Sequence, residues 1–245
     1  MVIARPPAAR DAERSLMNFL KAEWVDLILA NYVVEPEILN KFVPEKTTLD
    51  YHENKCYLSL VAFMFRQTRI LGCPIPYHIN FEEVNLRFYV KPNYDYSERS
   101  VTFIKEIVPL KTIPFVANNF FNENYVALPM SHKISHPNIS YSWGKYLTNT
   151  FSVSFSNTPE IPQRGSTEEF ITEHYFGFTK NGSETIKYKV NHPQWKVSTI
   201  ESYSIKVNFS EVCGNEFAFL TSSVPENVCY AVGSKVGVSF PSKLA

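Results

Sequence analysis

Three residues of the stretch FEEVNLRFYV (81–90), namely Glu83, Asn85 and Arg87, have the types and spacing of a small-molecule site. Side chains on a β-strand alternate sides, so a carboxylate, an amide and a guanidinium at every second position share one face. The other face carries Val84, Leu86, Phe88 and Val90. Apolar against polar at a period of two predicts a strand with one side in the core. If the polar side borders an enclosed space, Arg87 can hold an anionic or carbonyl oxygen and Glu83 can accept or orient a proton. If it does not, the same groups can satisfy one another as an internal ion pair and hydrogen-bond network. Both readings remain open on these residues alone.

Other chemistry-bearing groups are more scattered. His192 and Trp195 of NHPQW could set an imidazole and an indole at a pocket mouth; the competing reading is a turn with Trp195 packed in the core. His132 and His136 have a spacing that suits a metal only on a helix, and the serines and Pro137 around them predict a loop, so no metal is expected. His174 reads as a packing or surface histidine. Cys73 sits in LGCPIPYH, a loop stiffened by Pro74 and Pro76, with His78 as the candidate partner a reactive thiol would need.

The elements that must position these groups follow from pattern. CYLSLVAFMF (56–65) is apolar on both sides apart from Ser59 and predicts a central strand. Further strands are expected near 24–34, 100–108, 146–156, 184–190, 203–209 and 235–240. In SVTFIKEIV (100–108), Val101, Phe103 and Ile107 are placed on one side. Short helices are expected at 11–23, at 35–42 with Pro36 early, at 111–122, and at 166–176. The last opens on a capping box of Ser166 and Glu169. About ten strands with a few short helices give a mainly β fold, and long helices do not alternate with the strands as a doubly wound sheet needs.

Composition narrows the partners. The 245 residues hold 24 Lys plus Arg and 24 Asp plus Glu, a balance that argues against nucleic acid or an anionic membrane as partner. With 8 glycines there is no G-x-G-x-x-G and no P-loop, so no nucleotide cofactor is expected. The cysteines (56, 73, 213, 229) form no C-x-x-C, and residues 1–20 lack a continuous apolar run, so a cytoplasmic location with reduced thiols is expected. The expected organisation is a lead with a short helix over 1–23 and one β domain over 24–245.

Several segments together resemble the YqjF-like family. They are 24–50, the run CYLSLVAFMFRQTRILGCPIPYHINFEEVNLRFYV (56–90), NENYVALPM (122–130), EEFITEHYFGFTK (168–180), NHPQW (191–195) and AVGSKVGVSFPSKL (231–244). That family is related to acetoacetate decarboxylase. The resemblance implies a multi-sheet, cone-shaped β-barrel enclosing a pocket, with Glu83, Asn85 and Arg87 lining it. The decarboxylase forms a Schiff base on a lysine that follows Tyr-Pro; here the matching position is Met130 and the neighbouring cation position is Ser131. A thioether forms no imine, so the decarboxylation is not expected, and Lys133 would need a register slip of three to substitute. One of two acidic pocket positions falls on Ser59 and the other on Glu83. The resemblance therefore implies a pocket for a small carboxylate- or carbonyl-bearing molecule, with Glu83 and Arg87 as candidate catalytic groups and Asn85, Ser59, Met130, Tyr125, His192 and Trp195 as candidate ligand contacts. The decarboxylase assembles into large oligomers, which makes a homo-oligomer a candidate assembly. A binder without turnover, an acid/base enzyme and a protein with a satisfied polar interior remain as alternatives.

Overall fold

The alternation of 81–90 is realised in the structure, a computed structural model describing residues 18–120, 122–156 and 158–244. The strands are, in order, β1 (Asn18–Val33), β2 (Thr47–Leu49), β3 (Tyr51–His52), β4 (Lys55–Ile70), β5 (Cys73–Pro74) and β6 (Phe81–Pro92). They continue as β7 (Ser100–Val108), β8 (Tyr125–Ala127), β9 (Met130–Ser135), β10 (Asn138–Trp143) and β11 (Asn149–Phe155). Then follow β12 (Phe176–Asn181), β13 (Glu184–Asn191), β14 (Val197–Lys206), β15 (Asn227–Ser239) and β16 (Ser242–Lys243). The helices are α1 (Pro36–Leu39), α2 (Thr112–Phe120), α3 (Thr167–Thr172) and α4 (Phe209–Cys213). The fold is mainly β, as the sequence predicts.

The strands close into a ring in the order β15, β1, β4, β6, β7, β12, β13 and back to β15. Long antiparallel ladders hold one flank: β1 runs against both β15 and β4, and β4 runs against β6 from Leu58 opposite Phe88 to Phe65 opposite Phe81. The other flank is thin. β7 meets β12 in parallel only at Ser100–Phe176 and Val101–Gly177, and β13 meets β15 only at Val190–Val238 and Asn191–Gly237. From β15 the sheet continues outward through β14, β11, β10 and β9. Tyr141, Trp143 and Phe151 of that extension pack with Leu58, Leu60, Leu86 and Phe88 from the outer face of the ring. The inner face carries Leu27, Val61, Phe63, Phe65 and Phe81. Period-two alternation on β4 and β6 thus serves two apolar layers, which explains why 56–65 is apolar on both sides.

Several expectations hold locally. Pro36 opens α1, where its missing N–H costs no hydrogen bond. The Ser166 hydroxyl accepts from the Glu169 amide at 3.2 Å and caps α3.

Others are corrected. No helix forms at 18–23: these residues belong to β1, paired with β15 and β4, and the rest of the expected 11–23 helix lies outside the described residues. Two long neighbouring strands supply backbone partners there, and pairing overrides the local pattern. Phe19 and Leu20 of this stretch line the ring interior. SHKIS (131–135), expected as loop, is strand β9, with His132 opposite Tyr141. It is a polar edge strand exposed on most of its length, so no apolar alternation marks it. The expected strand 203–209 begins earlier, as β14 at Val197, and gives way to α4 at Phe209. Among the described residues, no helix is long and apolar enough to cross a membrane.

Candidate functional site

The ring encloses a cavity of about 380 Å³. Its polar side begins on β6, where Glu83, Asn85 and Arg87 all point inward and are 3%, 3% and 8% exposed. The Asn85 amide nitrogen donates to Glu83 Oε1 at 3.0 Å, and the Tyr125 hydroxyl, from β8, donates to Glu83 Oε2 at 3.0 Å. Arg87 does not pair with Glu83. Its Nη2 donates to the Ile171 carbonyl at 3.1 Å, its guanidinium lies 5.8 Å from the Tyr89 ring centre, and its Nε has no protein partner.

Two further carboxyls join them. Glu106 reaches the cavity from β7 because the β6–β7 register shifts by a bulge between Leu86 and Arg87. The bulge puts both Phe103 and Glu106 on the inner face, and sends Ile107 to the outer apolar layer instead of the side expected for it beside Phe103. Glu123, just before β8, accepts at Oε1 from the Tyr188 hydroxyl at 2.7 Å and from the Thr179 hydroxyl at 2.8 Å. Tyr188 reaches it by passing over Gly177 of the paired strand β12. A Cβ at residue 177 would lie 2.1 Å from the Tyr188 ring.

Burial governs the ionisation of the three carboxyls. Loss of hydration pushes Glu83 up to about 7, against the hydrogen bonds from Asn85 and Tyr125; the Glu123 charge adds to the rise and Arg87 opposes it. Glu123 is also pushed up to about 7 by burial, against its bonds from Tyr188, Thr179 and Glu106. Glu106 rises well above the usual carboxylate range, by burial first and then by the charges of Glu123 and Glu83. Both shifts favour the protonated form of Glu106 beside Glu123. One proton shared between like groups is the arrangement that close carboxyl pairs adopt.

The rest of the cavity is apolar. Trp24, Phe63, Phe65, Phe81 and Phe103 form its wall, with Trp195 beside them. At the solvent end, the segment 71–80, in which Cys73 and Pro74 form strand β5 on β4 and not the loop expected for Cys73, contributes Ile75 and His78, and α2 contributes Thr112 and Ile113. A hydrogen bond between His78 Nε2 and the Thr112 hydroxyl ties that segment to the helix. The other His78 nitrogen contacts the Pro76 carbonyl, so neither ring nitrogen is given to Cys73. Of the residues singled out from sequence, Glu83, Asn85, Arg87, Tyr125, Trp195 and His78 line this cavity.

Ser59, Met130 and His192 lie elsewhere. Ser59 is fully buried and bonded at 2.6 Å to Asn31 and at 2.6 Å to Tyr89. Met130 packs on the outer apolar layer from β9. His192 stacks between Tyr175 and Trp195, behind the wall. Trp195 itself donates to the Ser234 hydroxyl at 2.9 Å. Lys133 is exposed on the outer sheet. None of the described lining residues is a lysine. His132 and His136 are held by Glu82 and Asp26 respectively, and no group of three His, Cys, Asp or Glu among the described residues is arranged to hold a metal ion. His174 is buried beyond the end of α3 against Tyr89 and Phe170.

A strand ring with a polar cluster on its inner wall defines a member of the acetoacetate decarboxylase-like fold. The structure is similar to acetoacetate decarboxylase from Legionella pneumophila subsp. pneumophila str. Philadelphia 1, with a TM-score of 0.64 at 9% identity over 100% of this chain and 98% of that one. It is similar to the enduracididine biosynthesis enzyme MppR complexed with pyruvate, with a TM-score of 0.64 at 9% identity over 100% of this chain and 93% of that one. At such identities the likeness is one of fold. The chain belongs to the family DUF2071, described as "Uncharacterized conserved protein (COG2071)", whose model matches residues 21–235. It is 24% identical over 196 residues to the uncharacterized protein YqjF of Bacillus subtilis (strain 168), covering 77% of this chain and 78% of that protein.

Proposed function

We propose that the ring interior binds a small, largely apolar molecule bearing a carbonyl or carboxylate group, and that it does so without Schiff-base chemistry. The observation that carries this reading is Arg87, a buried cation on the cavity wall that is not paired with Glu83 and keeps a free Nε. A buried guanidinium left short of acceptors is costly unless something else supplies them, and a ligand oxygen does so. Pyruvate, the ligand of the structural neighbour MppR, is a keto acid and fits the same class. The absence of lysine from the described lining residues supports the exclusion of an imine.

Acid/base catalysis is the second reading, favoured by one specific observation: Glu83 is buried with its proton affinity near neutrality, where a carboxyl can both take and give a proton. In that case Arg87 polarises the carbonyl while Glu83 moves the proton. Titration calorimetry with phenylpyruvate tests the binding reading. Binding by the native protein and a loss of at least about tenfold in Arg87→Gln are expected. Equal affinity in the two would remove Arg87 from the site. Glu83→Gln then separates the readings, since an enzyme would keep binding and lose turnover while a binder would change little. Borohydride trapping that captured a β-keto acid on Lys133 would overturn the exclusion of an imine.

A further inference from the structure

Five cavity-lining side chains hold one polar atom each with no protein partner, Trp24 Nε1, Thr68 Oγ1, Arg87 Nε, Asn85 Oδ1 and Glu106 Oε2, and the last three share the polar wall of β6 and β7. Those three residues are more than nine-tenths buried. One of their three atoms is a donor and two are acceptors. Their order on the sheet is fixed. Asn85 and Glu106 are direct cross-strand partners on β6 and β7, and Arg87 is the next inward residue along β6. Cross-strand partners hold their Cβ atoms ~5 Å apart, and residues two apart on one strand lie ~6–7 Å apart. Two acceptors side by side with a donor next to them mirror a planar group that offers two hydrogens from one atom and a lone pair from its neighbour.

From this we infer that the lumen recognises a primary carboxamide, an uncharged carbonyl with two hydrogen-bond donors on one atom, on an aromatic or branched apolar tail. The inference rests on the binding reading above and narrows its ligand class. The carbonyl oxygen meets Arg87, and the two N–H groups meet Asn85 and Glu106. Glu106 Oε2 borders the cavity without a protein partner and is open to accept from a ligand. A carboxylate would satisfy Arg87 but set its remaining lone pairs against Asn85 Oδ1 and Glu106 Oε2, in a cavity that already holds Glu83 and Glu123. An ammonium would satisfy the carboxyls and leave Arg87 facing a second cation. The tail is set by Trp24, Phe63, Phe65 and Phe81, whose rings meet one another edge-on or stacked at 4.6–5.6 Å between centres, a lining that favours another ring.

The test is a series of probes of one shape, measured by titration calorimetry on the full chain at pH 8: 3-phenylpropanamide, its methyl-ester counterpart methyl 3-phenylpropanoate, and 3-phenylpropanoate. The amide is expected to bind at least about tenfold more tightly than either of the others, because only the amide meets both buried acceptors. Asn85→Leu is expected to abolish the advantage of amide over ester. An ester or a carboxylate that equals or exceeds the amide in the native protein would overturn the inference while leaving the broader binding reading in place. Failure of all three probes would overturn the inference, and the phenylpyruvate titration would then decide whether the broader binding reading stands. The native-protein comparison decides the matter even if Asn85→Leu does not fold.

Discussion

Glu83→Gln should change how stability depends on pH, and the size of the change follows from the burial of the carboxyl. The group is 3% exposed and is pushed from an ordinary value of 4.5 up to about 7. A native chain with a raised carboxyl affinity holds its proton after the unfolded chain has released it. Stability therefore falls as pH climbs from about 4.5 to about 7, and the contribution is gone above that window. At ~1.4 kcal/mol per tenfold, the interval is worth about 3 kcal/mol. Gln keeps the shape and one acceptor oxygen, and the Tyr125 hydroxyl can turn to accept from the new amide. Titration at residue 83 disappears. Urea unfolding at pH 5 and pH 8.5, with m unchanged, is the assay. The stability of the variant relative to the native protein should rise by about 3 kcal/mol between the two pH values. Glu106 and Glu123 titrate in both proteins, so both lose stability in alkali and only the difference reports on residue 83. Because the Glu83 charge also raises Glu106, its removal enlarges the difference and does not reverse it. Parallel profiles, agreeing within about 0.5 kcal/mol across the range, would refute the claim that burial controls this group.

Gly177→Val should be among the most disruptive single changes on β12, since the added carbon would overlap the Tyr188 ring and force its hydroxyl off Glu123. A loss of about 2–4 kcal/mol is expected from overpacking plus the broken buried bond, read as a lower urea midpoint; a loss below about 1 kcal/mol would mean that the ring relocates freely. Ser166→Ala removes the cap of α3 and should cost about 1 kcal/mol, seen as a drop of a few degrees in Tm, with Ser166→Asp restoring it.

What the sequence made legible is what repeats at a period of two without interruption. The inward set on β6 could be read from Glu83, Asn85 and Arg87 because nothing breaks the alternation there, and the two-faced apolar β4 could be read for the same reason. Glu106 could not. It lies one bulge beyond Phe103, and an inserted residue reverses which side every later position faces while leaving the composition untouched. Glu123 sits in a connection with no periodicity, and its place in the cavity follows from the parallel pairing of β8 on β7, a long-range contact. Tyr188 lies within the expected strand 184–190, but its hydroxyl has meaning only once Glu123 is opposite it. The edge strand β9 carried no alternation to read, and β1 was misread at its start because its neighbours, not its own pattern, make residues 18–23 extended.

The uneven stitching of the ring has a mechanical consequence. Backbone bonds are plentiful where β1, β4, β6 and β15 adjoin, and few where the hairpin of β12 and β13 bridges the remaining gap. Local opening follows the weakest cooperative unit, so the hairpin is the pane of the wall expected to open first, read as faster amide exchange than in the opposite wall. That pane carries Tyr188, and its departure would strip Glu123 of a hydroxyl partner in the same motion. An opening there would couple entry into the ring to the loss of a hydrogen bond that lowers the proton affinity of Glu123.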